Sequence, residues 1–160
     1  MNDVDRIVDQ MERTHIGNPW TDAPFSRLLE DVTHDIAAAK PIPDAHSIWE
    51  IVLHLMTAQQ LIVDLVHGES RPYEPGDEWP PVDDDSAAAW AETVDLFFAG
   101  EAEVREVVTE GVSFERLDVP FREGGTSVYN NLHGYIQHAV YHGGQISLLK
   151  RLDAAADSQD

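Results

Sequence analysis

The chain of 160 residues carries 30 acidic and 10 basic side chains, a formal net charge of −20 at pH 7, and contains no cysteine. Its length and its 42% hydrophobic content fit one domain that buries roughly two-thirds of its unfolded surface. The acidity argues against nucleic acid and anionic membranes as partners, because binding to either requires a basic face. Without cysteine, any metal must be held by His, Asp or Glu.

The acidic side chains are spread along the chain, with one denser run at residues 83–85. Solubility explains such a bias, and a salt-adapted host would produce the same one. The N-terminal residues lack the basic start and the apolar run of a signal peptide, and no uninterrupted apolar stretch approaches the ~18 residues of a membrane span. We therefore expect a soluble, cytoplasmic protein.

The first predicted element is an amphipathic helix over residues 3–14, ended by the Gly-Asn-Pro sequence at 17–19. Residues 20–43 contain three prolines around a short apolar run, which predicts a connecting segment with one or two brief helices. Within it, we expect Trp20 and Phe25 to pack on the rest of the protein.

A second long helix is predicted from Ser47, because Glu50 follows three residues later and completes a capping box. It should end near Gly68. The next residues, 69–82, include four prolines and so predict a long loop of the kind that often borders a site.

A third helix should begin at residue 85 or 86 and end near Gly111, and a fourth should run over residues 126–153. Residues 112–125 predict a connector, with short strand pairing at 118–121 as an open alternative. The pattern favours an all-α four-helix bundle formed by one domain over residues 1–153, followed by a flexible acidic tail over 154–160.

Two histidines of the fourth helix, His138 and His142, lie one turn apart on a face that is otherwise mostly apolar. This spacing allows two imidazoles to bind one metal ion. Tyr135 and Gln145 extend the same stripe by one turn in either direction. The alternative is that these are core histidines satisfied by hydrogen bonds, since such a spacing also arises by chance.

A third ligand would have to come from a facing helix, and His54 is the candidate because it interrupts the apolar face of the second helix. A lone histidine there is more often a satisfied core residue. Three histidines would leave at least one coordination position for water or substrate, as in catalytic sites. Zn or Ni is our first expectation for the metal, with Fe, Mn or Cu as alternatives.

Two further residues are candidates for catalytic roles around the metal. Glu50, one turn before His54, could orient a ligand or accept a proton, although the capping box already explains it. Gln145 could bond a ligand imidazole, or it could bond another helix. The pair Gly143 and Gly144 inside a helix predicts the close approach of another helix or, alternatively, room for a substrate.

The remaining histidines receive simpler interpretations. His133 lies about 140° around the helix from His138 and should miss the metal. His15, His34 and His67 are placed at element ends as surface residues. His46 precedes the cap, where it could form a staple contact or, as a second reading, a gateway to the metal.

Two segments resemble the signatures of the DinB-like (DinB/YfiT) superfamily: HSIWEIVLHL at 46–55 and LHGYIQHAVYHGGQISLLKR at 132–151. The resemblance implies an up-down-down-up four-helix bundle, often dimeric, with a divalent metal held at the positions of His54, His138 and His142. Members of this superfamily include S-transferases that use bacillithiol or mycothiol, and mycothiol-dependent isomerases.

We therefore expect a metal-dependent enzyme, most simply an S-transferase that uses a low-molecular-weight thiol in stress or detoxification. The expected partners are a small-molecule substrate, a thiol cosubstrate and a second copy of the chain. A metal-dependent hydrolase is the alternative within enzymes. A non-catalytic metal-binding or small-ligand-binding stress protein is the alternative outside them.

Overall fold

The computed structural model describes residues 2–21, 23–69, 74 and 76–157, with side chains up to residue 153. These residues form an all-α fold, and no strand occurs among them. The helices in chain order are α1 (Asp3–His15), α2 (Phe25–Leu28), α3 (His34–Ala38), α4 (Ile48–His67), α5 (Ala87–Gly111) and α6 (Val128–Asp157), with a 3₁₀ turn at Phe114–Arg116 before α6.

Side-chain caps fix the beginnings of the long helices. The predicted capping box of α4 is confirmed: the Glu50 backbone N–H donates to Ser47 Oγ, and the Ser47 N–H donates to the Glu50 carboxylate. A second box joins Asn2 and Asp5 at the start of α1. Each such cap stabilises its helix by about 1 kcal/mol. Gly68 ends α4 with a φ of 75°, a left-handed conformation that favours glycine.

The predicted bounds of the third long helix are confirmed, with Ser86 as the cap of α5 and Gly111 as its last residue. The fourth helix differs from expectation, because α6 begins at Val128 and its backbone continues to Asp157, beyond the predicted end at 153. Residues 158–160 of the predicted tail lie outside the described residues. The open alternative of short pairing is also realised, as a single antiparallel bridge between Pro120 and Ser127.

Two adjoining hydrophobic clusters form the core, and α4 contributes to both. The first joins α2, the beginning of α4 and the second half of α6; it contains, among others, Phe25, Ile48, Val52, Leu55, Ala139 and Ile146. The second joins α1, the end of α4 and the beginning of α6; it contains, among others, Ile7, Met11, Ile62, Val63, Leu132 and Tyr135. Helices α4 and α6 therefore run antiparallel, which brings their middle turns together.

Helix α4 is long and apolar enough to span a membrane by length and composition, yet 56% of its most apolar window is buried inside the protein. That degree of burial is expected of the central helix of a bundle, which must be apolar on most of its faces. The apolar character of α4 is therefore explained by its place in the core.

Two packing predictions for the first third of the chain are wrong. Trp20 is fully exposed, whereas Phe25 is buried in the core as predicted. His15 is 1% exposed rather than a surface residue. The last turn of α1 faces α5, and the imidazole of His15 is therefore enclosed between the rings of Phe25 and Phe97. His34 is half-buried and bonds the Asp85 carbonyl.

The glycine pair of α6 divides into two cases. A Cβ on Gly143 would lie 3.4–3.5 Å from Leu28 and Phe25, so the predicted close approach of another helix is confirmed there, with α2 as that helix. A Cβ on Gly144 would meet nothing within 4 Å. Close packing therefore explains the first glycine and leaves the second without a packing role.

Candidate metal centre

The structure brings together the three histidines that the sequence singles out. His54 on α4 faces His138 and His142 on α6, and their ring centroids are 4.5–4.8 Å apart. His138 Nε2 lies 2.8 Å from His54 Nε2 and 3.1 Å from His142 Nε2. Among the described residues, these three side chains can each offer one nitrogen within 4.8 Å of the others, in the arrangement of a metal site.

The opposite ring nitrogens fix the tautomers of two of these imidazoles. His54 Nδ1 lies 2.5 Å from the Glu78 backbone carbonyl, to which it must donate because a carbonyl oxygen only accepts. His142 Nδ1 lies 2.6 Å from Gln145 Oε1, while Gln145 Nε2 donates to the Tyr141 hydroxyl. In both neutral rings the proton is therefore on Nδ1, and the Nε2 lone pair points toward the cluster.

This arrangement fits a cation. Two bare Nε2 lone pairs face His138 Nε2, and a hydrogen on that atom could satisfy only one of them. A divalent ion would accept all three lone pairs, and the three nitrogens lie within 4.8 Å of one another. The orienting bonds from Glu78 and Gln145 are of the kind that metal-ligating histidines commonly make. The donor set is therefore suited to a metal.

Electrostatics keep the cluster in the form that binds metal. Burial, with smaller contributions from positive charge on His142 and His54, lowers the pKa of His138 to about 4. Burial also lowers the pKa of His142, although its bond to Gln145 opposes the shift. Both rings are thus neutral near pH 7, with lone pairs available to an ion.

The loop after α4 closes one side of the centre. The Trp79 indole stacks on His54 with ring centroids 4.0 Å apart, and His46 stacks on the other face of the indole at 3.5 Å. The sequence predicts a loop beside a site but does not single out Trp79. Its signal is a tryptophan within a proline-rich loop. His46 lies beside the indole, and its predicted staple contact with Ile51 stays a prediction.

Two other histidine-neighbouring residues considered in the sequence, Glu50 and His133, make contacts outside the three-histidine cluster. Glu50 bonds Ser47 N at 2.8 Å and Lys40 Nζ at 2.8 Å, and its carboxylate lies 3.4 Å from His46. Burial raises the pKa of Glu50, but the hydrogen bonds from Lys40 and Ser47 together lower it by more. The pKa of Glu50 therefore lies below its ordinary value. It is therefore an ionised capping residue, and its role beside the metal stays a prediction. His133 packs against the Tyr129 ring at a tilt, away from the cluster as predicted.

Fold and site together define a helical-bundle protein with a three-histidine centre. The sequence profile of the DinB superfamily matches residues 20–146, which include all three histidines. The chain belongs to the DinB superfamily.

The chain is similar in fold to a crystal structure of a conserved protein from Enterococcus faecalis, with a TM-score of 0.71. The likeness covers 95% of this chain and 97% of that one, at 18% sequence identity, and so concerns the fold alone. Among curated proteins, none matches the sequence significantly.

Proposed function

We propose that this protein is a divalent-metal-dependent enzyme that joins a low-molecular-weight thiol to a small electrophilic substrate. The observation that carries the proposal is the convergence of one ring nitrogen each from His54, His138 and His142, all within 4.8 Å of one another. Three neutral ligands leave a bound ion with a charge of about +2, which favours a thiolate beside it. Zn or Ni is the proposed metal, with Fe, Mn or Cu as alternatives.

In the proposed reaction the thiol loses its proton and its sulfur forms a bond to an electrophilic carbon. The electrons of the bond that breaks depart with the leaving group, which takes up the proton. The metal, when bound, supplies positive charge that lowers the pKa of the thiol. Because the chain has no cysteine, the sulfur must come from a cosubstrate.

The roles of the protein's own residues follow from their contacts. Gln145 orients His142, the Glu78 carbonyl orients His54, and Trp79 covers one face of the His54 ring. Glu50 is the proposed proton acceptor, held ionised by Lys40 and Ser47. A cavity that borders His54 and His138 gives small molecules access to the cluster.

Metal content provides the first test. Protein purified without an affinity tag or chelator should contain about one divalent ion per chain, since the three histidines form one site. The double variant His54→Ala/His138→Ala should contain almost none. His133→Ala is the matched control, because His133 lies on α6 outside the cluster. Equally low metal in the wild type and the double variant would contradict the proposal.

Activity provides the second test. Metal-loaded protein is incubated with an electrophile such as monochlorobimane and with bacillithiol, mycothiol or cysteine, and conjugation is followed by fluorescence. The proposal expects metal-dependent conjugation with at least one thiol, which His138→Ala abolishes. Hydrolysis of ester or amide substrates without a thiol would support the alternative of a hydrolase. Stable metal binding with neither activity would support a non-catalytic metal-binding protein.

Three broader proposals accompany this function. An up-down-down-up order of the long helices is supported by side-chain contacts at matching ends of α4 and α5, such as Trp49 with Thr93 and Val66 with Gly111. A homodimer is supported by exposed apolar side chains on the outer face of α6, Tyr141 and Leu148. The third proposal is a cytoplasmic location. Light scattering tests the homodimer, and cell fractionation tests the location.

A further inference from the structure

A solvent-open cavity of about 250 Å³ lies between α4 and α6, directly beside two of the three histidines. His54 and His138 form one end of it. Its remaining wall is mainly apolar and includes Ala58, Leu61 and Ile62 of α4 and Gly134 and Tyr135 of α6. Because α4 and α6 are antiparallel, the cavity follows both helices away from the histidines for one to two turns.

The rim of this cavity exposes apolar surface to water. Leu61, two turns after His54, is 44% exposed although it lies on the central helix of the bundle. Exposed apolar surface next to a cluster of polar groups is characteristic of ligand sites. Burying it against an apolar group would be favourable, because apolar surface would be removed from water.

Gly134 keeps the cavity open. It lies in the interior of α6, one turn before His138, where glycine destabilises the helix relative to alanine. A Cβ at this position would meet nothing within 4 Å, so no neighbouring helix requires the glycine. A larger side chain would instead project into the free space of the cavity.

We propose that this cavity binds the apolar group of the substrate and that Gly134 sets the size limit. A cavity of about 150 Å³ holds a benzene ring, so 250 Å³ accommodates roughly ten non-hydrogen atoms, the size of a substituted aromatic ring. The expected substrate is then a small molecule with an apolar group of this size next to a sulfur or oxygen atom. That polar atom would lie at the end of the cavity formed by His54 and His138. This inference rests on the proposed function, because the metal centre provides the polar anchor.

The test compares two thiols that differ in their apolar part. Zn²⁺-loaded protein is titrated calorimetrically with benzyl mercaptan and with 2-mercaptoethanol. The wild type should bind benzyl mercaptan at least about tenfold more tightly, equivalent to about 1.4 kcal/mol. Gly134→Leu should lose this preference while Zn²⁺ binding and the affinity for 2-mercaptoethanol stay unchanged.

Gly144→Leu is the matched control. Gly144 lies on the same helix, and its Cβ would also meet nothing within 4 Å, but it does not line this cavity. The control should keep the wild-type preference. If Gly134→Leu does not fold, Gly134→Ala replaces it and should reduce the preference by a smaller factor.

Each outcome decides one of the two proposals. A wild type that binds both thiols equally, or a folded Gly134 variant that keeps the full preference, overturns the cavity proposal. Failure of the wild type to take up Zn²⁺ overturns the proposed function instead. The cavity is then judged on metal-free protein with toluene as the probe, by NMR shifts of the Ala58 and Leu61 methyl groups. Shifts that Gly134→Leu abolishes support the cavity, and their absence in the wild type overturns it.

Discussion

Gln145 shows how a single side chain orients a candidate metal ligand. Its Oε1 accepts the His142 Nδ1 proton at 2.6 Å, and its Nε2 donates to Tyr141, so the amide itself is held in place. Such bonds fix the tautomer and ring orientation of the ligand before any ion arrives. The glutamine therefore acts through His142 and need not touch the metal.

Removing this support should weaken metal binding without abolishing it. We expect Gln145→Ala to lower the affinity for Zn²⁺ about 10- to 100-fold, measured by competition with a chelating dye. Gln137→Ala, at an exposed position on the same helix, is the control and should bind as the wild type does. An unchanged affinity in Gln145→Ala would show that His142 is oriented by its own packing.

His15 is a second buried imidazole, but its surroundings do not resemble a metal site. It donates from Nδ1 to the Met11 carbonyl at 2.9 Å and approaches Glu101 of α5 at 3.6 Å. Burial lowers its pKa to about 4, and the positive charge of Arg105 contributes to the shift. His15 is therefore neutral at pH 7, and its contact with Glu101 is not an ion pair. Burial raises the pKa of Glu101, and this shift is opposed by the charge of Arg105 and by the bifurcated bond that Arg105 Nε donates to both carboxylate oxygens.

These pKa shifts predict sensitivity to acid. Between pH 6.5 and about 4 the unfolded chain protonates His15 while the folded protein does not, so stability falls as the pH falls. At about pH 5 this lowers the free energy of unfolding by about 2 kcal/mol. The surrounding groups are Glu101 and Arg105 on α5, Tyr135 on α6 and Glu12 on α1.

Urea denaturation of His15→Gln measures this contribution. The variant retains the groups around His15. Between about pH 7 and pH 5, its free energy of unfolding should fall by about 2 kcal/mol less than that of the wild type. Glu101 remains in both proteins, so its opposite dependence on pH largely cancels in the comparison. Equal losses in the two proteins would mean that His15 is not the acid-sensitive group.

At the scale of elements, the loop at 76–82 acts as a wall of the metal centre. It contributes a backbone carbonyl to His54, the Trp79 ring over the same imidazole, and the Asp77 carbonyl within 3.5 Å of Thr57 on α4. Because the indole stacks on a candidate ligand, its fluorescence should report on the ion. The loop is therefore directly coupled to the metal centre.

We expect Cu²⁺, which quenches indole fluorescence at short range, to quench the wild-type protein when it binds. Trp79→Phe should lose most of this quenching, because Trp79 lies 4.0 Å from the His54 ring. Trp20→Phe is the control, since Trp20 is fully exposed and should not report on the site. Quenching of wild-type magnitude in Trp79→Phe would place the ion elsewhere.

Sequence patterns predict the helices better than the connections between them. The caps at Ser47 and Ser86 are local signals, and the structure has both. The three histidines are also predictable, because each interrupts an apolar helical face. The contacts of Trp79 and the burial of His15 depend on chain segments far apart in sequence, which no local pattern encodes.

At the scale of the whole molecule, a bound metal would join the two long helices that contribute to both halves of the core. Zn²⁺ should therefore stabilise the folded protein by about 2.7 kcal/mol at a concentration 100 times its dissociation constant. For a chain of this size, the unfolding temperature should rise by about 5–10 °C, measured by calorimetry. His54→Ala/His138→Ala should show no rise. A similar rise in both proteins would indicate binding to the acidic surface instead.

The bond from His54 to Glu78 is made by the main chain, so replacing the glutamate side chain leaves it in place. Selection can therefore alter residue 78 freely while the ligand keeps its orientation, provided that the backbone path of the loop is preserved. The neighbouring prolines at 80 and 81 restrict that path. Loop sequence could thus diverge between relatives to suit new substrates without loss of the metal centre, and libraries built at position 78 should retain it.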